Sequence, residues 1–182
     1  SSLNYKDAMS AKGIPGVTRN YPHTPGIDAA GIVELSKDEN FKEGDEVIVT
    51  GYDLGMNTPG GFGEYVSVPS NWAIALPEGL TAREAMALGT AGLTAGLSVH
   101  ALESYRNYVG LSGTKSIVTG ATGGVGSVAV MLLSKLGSEV TAVTGKKGQL
   151  DFLSSIGATH VMSREELAET ARKPIGKSIW DI

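Results

Sequence analysis

Ile117-Val118-Thr119-Gly120-Ala121-Thr122-Gly123-Gly124-Val125-Gly126 carries the clearest chemical signal in the chain, an apolar run that ends among four glycines and resumes as an apolar stretch. Glycine permits a tight turn and lets a diphosphate approach the backbone where a side chain would clash. A helix opening at that point offers free N–H groups and the positive end of its dipole to phosphate. Such a string alone also describes an ordinary flexible loop. The flanking strand, the flanking helix and a second strand about 20 residues on decide for dinucleotide binding. That second strand ends in Ala142-Val143-Thr144-Gly145-Lys146-Lys147, with no acid before Asp151. An Asp or Glu there would accept from the ribose 2′-hydroxyl of NAD and repel a 2′-phosphate. A hydroxyl and two ammonium groups hold one instead. A lysine pair at a helix start is also common as bare surface charge, but the missing acid and the added cations together favour NADP(H).

The elements that must position this turn follow from the rhythm of the chain. Up to about Pro77, short β-like runs (Ala30 to Leu35, Glu46 to Thr50, Glu64 to Val68, Trp72 to Leu76) are punctuated by Gly44-Asp45, Pro59-Gly60-Gly61 and Pro77-Glu78-Gly79. That pattern predicts an irregular β-barrel-like domain. Thr81-Ala82-Arg83-Glu84 then reads as a capping box opening a long Ala/Gly helix. Beyond it, strand and helix alternate: Lys115 to Thr119, Gly124 to Leu136, Glu139 to Thr144, Gln149 to Ile156, Thr159 to Met162. A second capping box at Ser163-Arg164-Glu165-Glu166 opens another helix, and Ser178 to Ile182 begins a fourth strand. The alternation predicts a parallel sheet with covering helices, hence an α/β chain. The domains are expected at 1–88 and 89–182.

Composition limits the classes of function. With 182 residues, 41% hydrophobic and 19% charged, the chain can bury a core. A net charge of −4 supplies no basic field for nucleic-acid phosphates. The absence of cysteine excludes disulfides and thiolate metal sites and suits a cytoplasmic location. Ala85 to Leu102 has no charged side chain, but Gly, Ala, Thr and Ser dilute it, so a buried helix is expected rather than a membrane span. His23, His100 and His160 stand far apart without ligand-like spacing.

Ser2-Leu3-Asn4-Tyr5-Lys6-Asp7, Pro25-Gly26-Ile27-Asp28-Ala29-Ala30-Gly31 and Gly44-Asp45-Glu46-Val47, together with the glycine-rich turn, resemble the medium-chain dehydrogenase/reductase superfamily. The resemblance extends over almost the whole chain and is closest to the zinc-free quinone oxidoreductases of the YhdH, or acryloyl-CoA reductase, type. It implies a GroES-like catalytic domain followed by an incomplete Rossmann-type doubly wound domain, with further residues before Asn4 and beyond Ile182. The catalytic zinc ligands of the zinc-dependent branch correspond to Asn4, Ile27 and Thr90, none a good zinc ligand, so no metal is expected. The resemblance further implies hydride transfer from NADPH to an α,β-unsaturated acyl-CoA or a quinone, in a protein for which a homodimer is possible. Tyr5 is then the polar group beside the cofactor, Asn4 orients substrate, Thr90 lines the same cleft and Asp7 is a structural acceptor. Thr122, Gly123, Gly124 and Val125 bind the diphosphate, Thr144, Gly145 and Lys146 the 2′-phosphate, and Arg164 contacts the cofactor near its adenine end. The alternative is a non-catalytic NADPH-binding protein, which would have no need of the polar set Asn4, Tyr5 and Thr90.

Overall fold

Glu46 to Thr50 is a short β-branched run and needs partners on both edges to complete its hydrogen bonds. The computed structural model, which describes residues 1–105, 107, 109–171 and 178–182, supplies both. The chain divides into two compact units, Ser1–Thr90 and Ala91–Ile182. In the first, β1 (Asp28–Ile32), β2 (Glu46–Thr50) and β3 (Ala73–Ala75) form an antiparallel sheet in that order. Asp28 lies opposite Thr50, and Val47 opposite Ala75. β1 therefore begins two residues before the expected run and stops short of Leu35, while Glu64 to Val68 forms no strand. β propensity describes a side chain's fit to a pleated surface and does not supply the partner strand.

A helix that the sequence reading passes over, α1 (Tyr5–Ala11), opens this unit. Its signal is local: Asn4 and Asp7 form a capping box, with the Asp7 carboxylate accepting from the Asn4 N–H at 2.8 Å. The long helix α2 (Ala82–Tyr105) opens on the expected box, Glu84 accepting from the Thr81 N–H at 2.9 Å. It is broken at Gly89, whose φ of 48° and ψ of −152° belong to a region that is essentially closed to other residues. A Cβ there would also lie 2.6 Å from Asp28 Oδ2. By length and composition α2 is long and apolar enough to cross a membrane. The break leaves neither segment with the roughly 20 residues a span requires; Ala85, Ala95 and Val99 are buried, but Leu88, Leu93 and Leu97 are exposed, so α2 is only partly the buried helix expected.

The second unit is a parallel sheet of β4 (Lys115–Thr119), β5 (Glu139–Thr144) and β6 (His160–Ser163), in the order β4-β5-β6. Its crossovers and last helix are α3 (Gly124–Lys135), α4 (Leu150–Ser155) and α5 (Arg164–Ala171). β5 is buried without interruption from Val140 to Thr144, as a central parallel strand covered on both faces must be. Val118, Val130, Leu133, Val140 and Leu153 centre the core. Gly126 lets α3 approach β4, since a Cβ there would meet the Gly120 carbonyl oxygen at 2.3 Å. Ser178 to Ile182, expected to begin a fourth strand, forms none, although the Ile117 N–H donates to Ile182 O at 2.9 Å and the Asp181 N–H to Lys115 O at 2.7 Å.

Two glycines of α2 are expected to respond oppositely to alanine in the intact protein. Gly89→Ala should destabilise by about 1–3 kcal/mol or more, from backbone strain and the clash with Asp28. Gly96, helical and with nothing within 4 Å of a new Cβ, should gain roughly 0.5–1 kcal/mol. Chemical denaturation of both variants checks the contrast.

Candidate functional site

Parallel strands bring their carboxyl ends to one edge, so β4, β5 and β6 deliver their following loops together. Gly120 turns the chain with a φ of 63°, and the Gly123 N–H donates back to its carbonyl at 2.9 Å. Thr122 then lies beside the end of β5, its Oγ1 3.1 Å from Thr144 Oγ1. The Lys146 N–H donates to the same Thr144 oxygen at 3.1 Å. Arg164, at the start of α5, lies across Gly145, where a Cβ would be only 3.1 Å from its Nε. The residues expected at the cofactor, Thr122, Thr144, Gly145, Lys146 and Arg164, are thereby brought together. Gly123 and Gly124 open α3, and Val125 is 41% exposed on its first turn. The set fits NADP(H): the Thr144 hydroxyl and the Arg164 guanidinium stand at the loop after β5, Lys146 and Lys147 follow in sequence, and no carboxylate stands in the loop before Asp151. Arg164, expected near the adenine end of the cofactor, lies beside Gly145 in the loop after β5.

In the first unit the organising group is one the sequence reading passes over as a site residue. Asp28 is fully buried, and donors converge on its carboxylate. Ser2 Oγ and Asn4 Nδ2 (2.8 Å) reach it from before α1, and the Thr90 N–H (2.9 Å) and Oγ1 (2.7 Å) from just past the break in α2. Burial raises its pKa; the hydrogen bonds from Ser2, from the Thr90 backbone and hydroxyl and from Asn4 outweigh this and hold it below the ordinary aspartate value. Two of the three positions matched to zinc ligands, Asn4 and Thr90, therefore meet at a carboxylate. The third, Ile27, is buried, and its N–H donates to Asp7 Oδ1 at 2.9 Å, which gives Asp7 the acceptor role expected of it. Among the described residues no group of three or more His, Asp or Glu side chains converges in a way that could hold a metal ion.

Tyr5 is the first residue of α1, immediately after Asn4, and its side chain is 83% exposed. Two open pockets, one lined by Val161, Met162, Glu166, Glu169 and Thr170 and the other by Ser1, Ala30, Ala82, Arg83, Met86 and Ala87, contain none of the expected site residues. The convergence of side chains, rather than the size of a cavity, marks the site.

Residues 1–78 match the alcohol dehydrogenase GroES-like domain. The chain is 48% identical to the acrylyl-CoA reductase AcuI of Ruegeria pomeroyi, over 99% of this chain and 54% of that protein. It is likewise 48% identical to YhfP of Bacillus subtilis over 99% of this chain and 54% of that one, whose structure with NAD bound superposes with a TM-score of 0.90. The structure of Escherichia coli YhdH with bound NADPH also superposes with a TM-score of 0.90, at 48% identity over 99% of this chain and 55% of that one. The chain thus spans about half the length of the curated relatives it matches.

The Asp28 cluster makes stability depend on pH with a definite sign. A carboxyl group whose folded pKa is depressed contributes stability that is present above its unfolded value of about 3.9 and is lost as pH falls through the folded pKa. Asp28→Asn presents an amide to donors and should cost on the order of 1–3 kcal/mol at pH 7. It should also flatten the loss of stability in acid. Thermal unfolding of the intact protein and the variant from pH 7 down to pH 3 measures both.

Proposed function

This chain belongs to the medium-chain dehydrogenase/reductase superfamily, in the branch of the acrylyl-CoA reductases and the YhfP- and YhdH-type oxidoreductases, and from that premise we propose that the intact protein is a zinc-independent, NADPH-dependent reductase of activated alkenes or quinones. The observation that carries the reading is the loop after β5, where the Thr144 hydroxyl accepts from the Lys146 backbone, Arg164 lies across Gly145, and no carboxylate stands among them. NADPH, when bound, supplies the hydride that an electron-poor acceptor such as acryloyl-CoA or a quinone receives.

The chain's own residues bind and orient. Gly123, Gly124 and Val125 present the amino end of α3 to the diphosphate, with Thr122 beside them. Thr144, Lys146 and Arg164 take the 2′-phosphate through charge-assisted bonds. Tyr5 is the polar group of the catalytic half, and its exposed phenol supports a reductase over a protein that only binds NADPH. Asn4 and Thr90 serve the same half indirectly. Both donate to Asp28, so their part is to fix the start of α1 and with it the backbone that carries Tyr5. A cytoplasmic location and homodimeric assembly belong to the same reading.

The intact protein should oxidise NADPH in the presence of acryloyl-CoA, of a simple quinone or of both, and the two acceptors assayed side by side identify the class. No oxidation with either would overturn the proposal. Lys146→Ala should weaken NADPH binding by about tenfold, the loss of one charge-assisted bond, and leave NADH nearly unchanged. Fluorescence titration reads both affinities.

A further inference from the structure

The loop that takes the 2′-phosphate shares a hydrogen bond with the turn that takes the diphosphate. Thr144 is buried at the end of β5, and among the described residues its hydroxyl oxygen has two neighbours within hydrogen-bonding distance. The Lys146 N–H donates to it at 3.1 Å, and Thr122 Oγ1 lies 3.1 Å away with either atom able to be the donor. A threonine hydroxyl has one proton to give and two lone pairs to receive. The Lys146 N–H occupies one lone pair. The remaining question is the direction of the Thr122–Thr144 bond, and it decides what Thr144 can offer a ligand.

We propose that Thr122 is a specificity-determining positioning residue for the 2′-phosphate, acting through Thr144 rather than by touching that phosphate. This rests on the NADPH reading given above. A phosphate dianion offers only acceptors. It takes the Thr144 proton, which requires Thr122 to turn its own proton toward Thr144. Thr144 then receives from Thr122 and Lys146 and has a single proton left to donate. Its hydroxyl becomes a directed donor, aimed at an acceptor and strengthened by the two donors behind it. A ribose 2′-hydroxyl can donate as well as accept and carries no charge, so it gains far less from a neighbour of fixed direction. Thr122 stands on the diphosphate turn in sequence, but its hydroxyl acts on the discrimination between NADPH and NADH.

Thr122→Val keeps the branched shape and removes the proton; Thr122→Ser keeps the proton. Affinities of the intact protein for NADPH, NADH, 2′,5′-ADP and 5′-AMP separate the roles, because the last two differ only by the 2′-phosphate. Thr122→Val should weaken NADPH and 2′,5′-ADP by about five- to tenfold, the loss of one hydrogen bond. The preferences for NADPH over NADH and for 2′,5′-ADP over 5′-AMP should each fall by about five- to tenfold, and Thr122→Ser should restore the wild-type pattern. In a Thr144→Val background, Thr122→Val should have no further effect, since a residue acting through another is silent once that one is removed. Equal weakening of all four ligands, or an undiminished effect without the Thr144 hydroxyl, would overturn the proposal. A wild-type preference for NADPH that Thr122→Val leaves intact would overturn it alone. Equal wild-type affinities for NADPH and NADH would overturn the NADPH reading and this inference with it.

Discussion

A carboxylate stripped of water stays ionised only where donors converge on it, and at Asp28 they arrive from separate stretches of chain. Ser2 and Asn4 come from the segment ahead of α1, Thr90 from past the break in α2, and the carboxylate itself from the first residue of β1. The requirement propagates outward. The approach of Thr90 needs the break at Gly89, and the close passage of that backbone leaves no room for a side chain there. The same carboxylate fixes Asn4, whose backbone caps α1 and whose neighbour is Tyr5. A helix start, a helix break and a strand start are thus tied to one buried negative charge.

The second unit meets its constraint with backbone rather than charge. Three parallel strands in sequential order bring the glycine-rich turn after β4 and the loop after β5 to the same edge of the sheet. The turn is then held at one end by Gly120 and Gly126 and at the other by the hydroxyl pair Thr122–Thr144. Arg164 reaches this place only because β6 lies next to β5 and α5 starts directly after it. Residues far apart in sequence become one loop cluster through strand order alone.

What the sequence discloses follows how local each signal is. The glycine turn, the acid-free end of β5 and the boxes at Thr81/Glu84 and Ser163/Glu166 are read within a few residues, and the structure has them as expected. The box at Asn4 and Asp7 has the same spacing, and reading it would have found α1. Asp28 could not be found in this way. Its donors lie 24, 26 and 62 residues away, and its neighbours in sequence are apolar or small. Glu64 to Val68 alternates like a strand, yet only a partner strand could have made it one. The indirect role of Asn4 and Thr90 was hidden for the same reason, since each looks like a free polar group until the carboxylate it serves is known.

In the proposed reaction, the intact protein delivers hydride from NADPH to an activated acceptor. The most direct test uses NADPH carrying two deuterium atoms at nicotinamide C4, the intact protein and acryloyl-CoA, with mass and magnetic resonance analysis of the product. One deuterium at the carbon β to the thioester, with NADP⁺ formed in equal amount, is the predicted result. A reduced product without deuterium, or NADPH consumed with the alkene unchanged, would contradict the account.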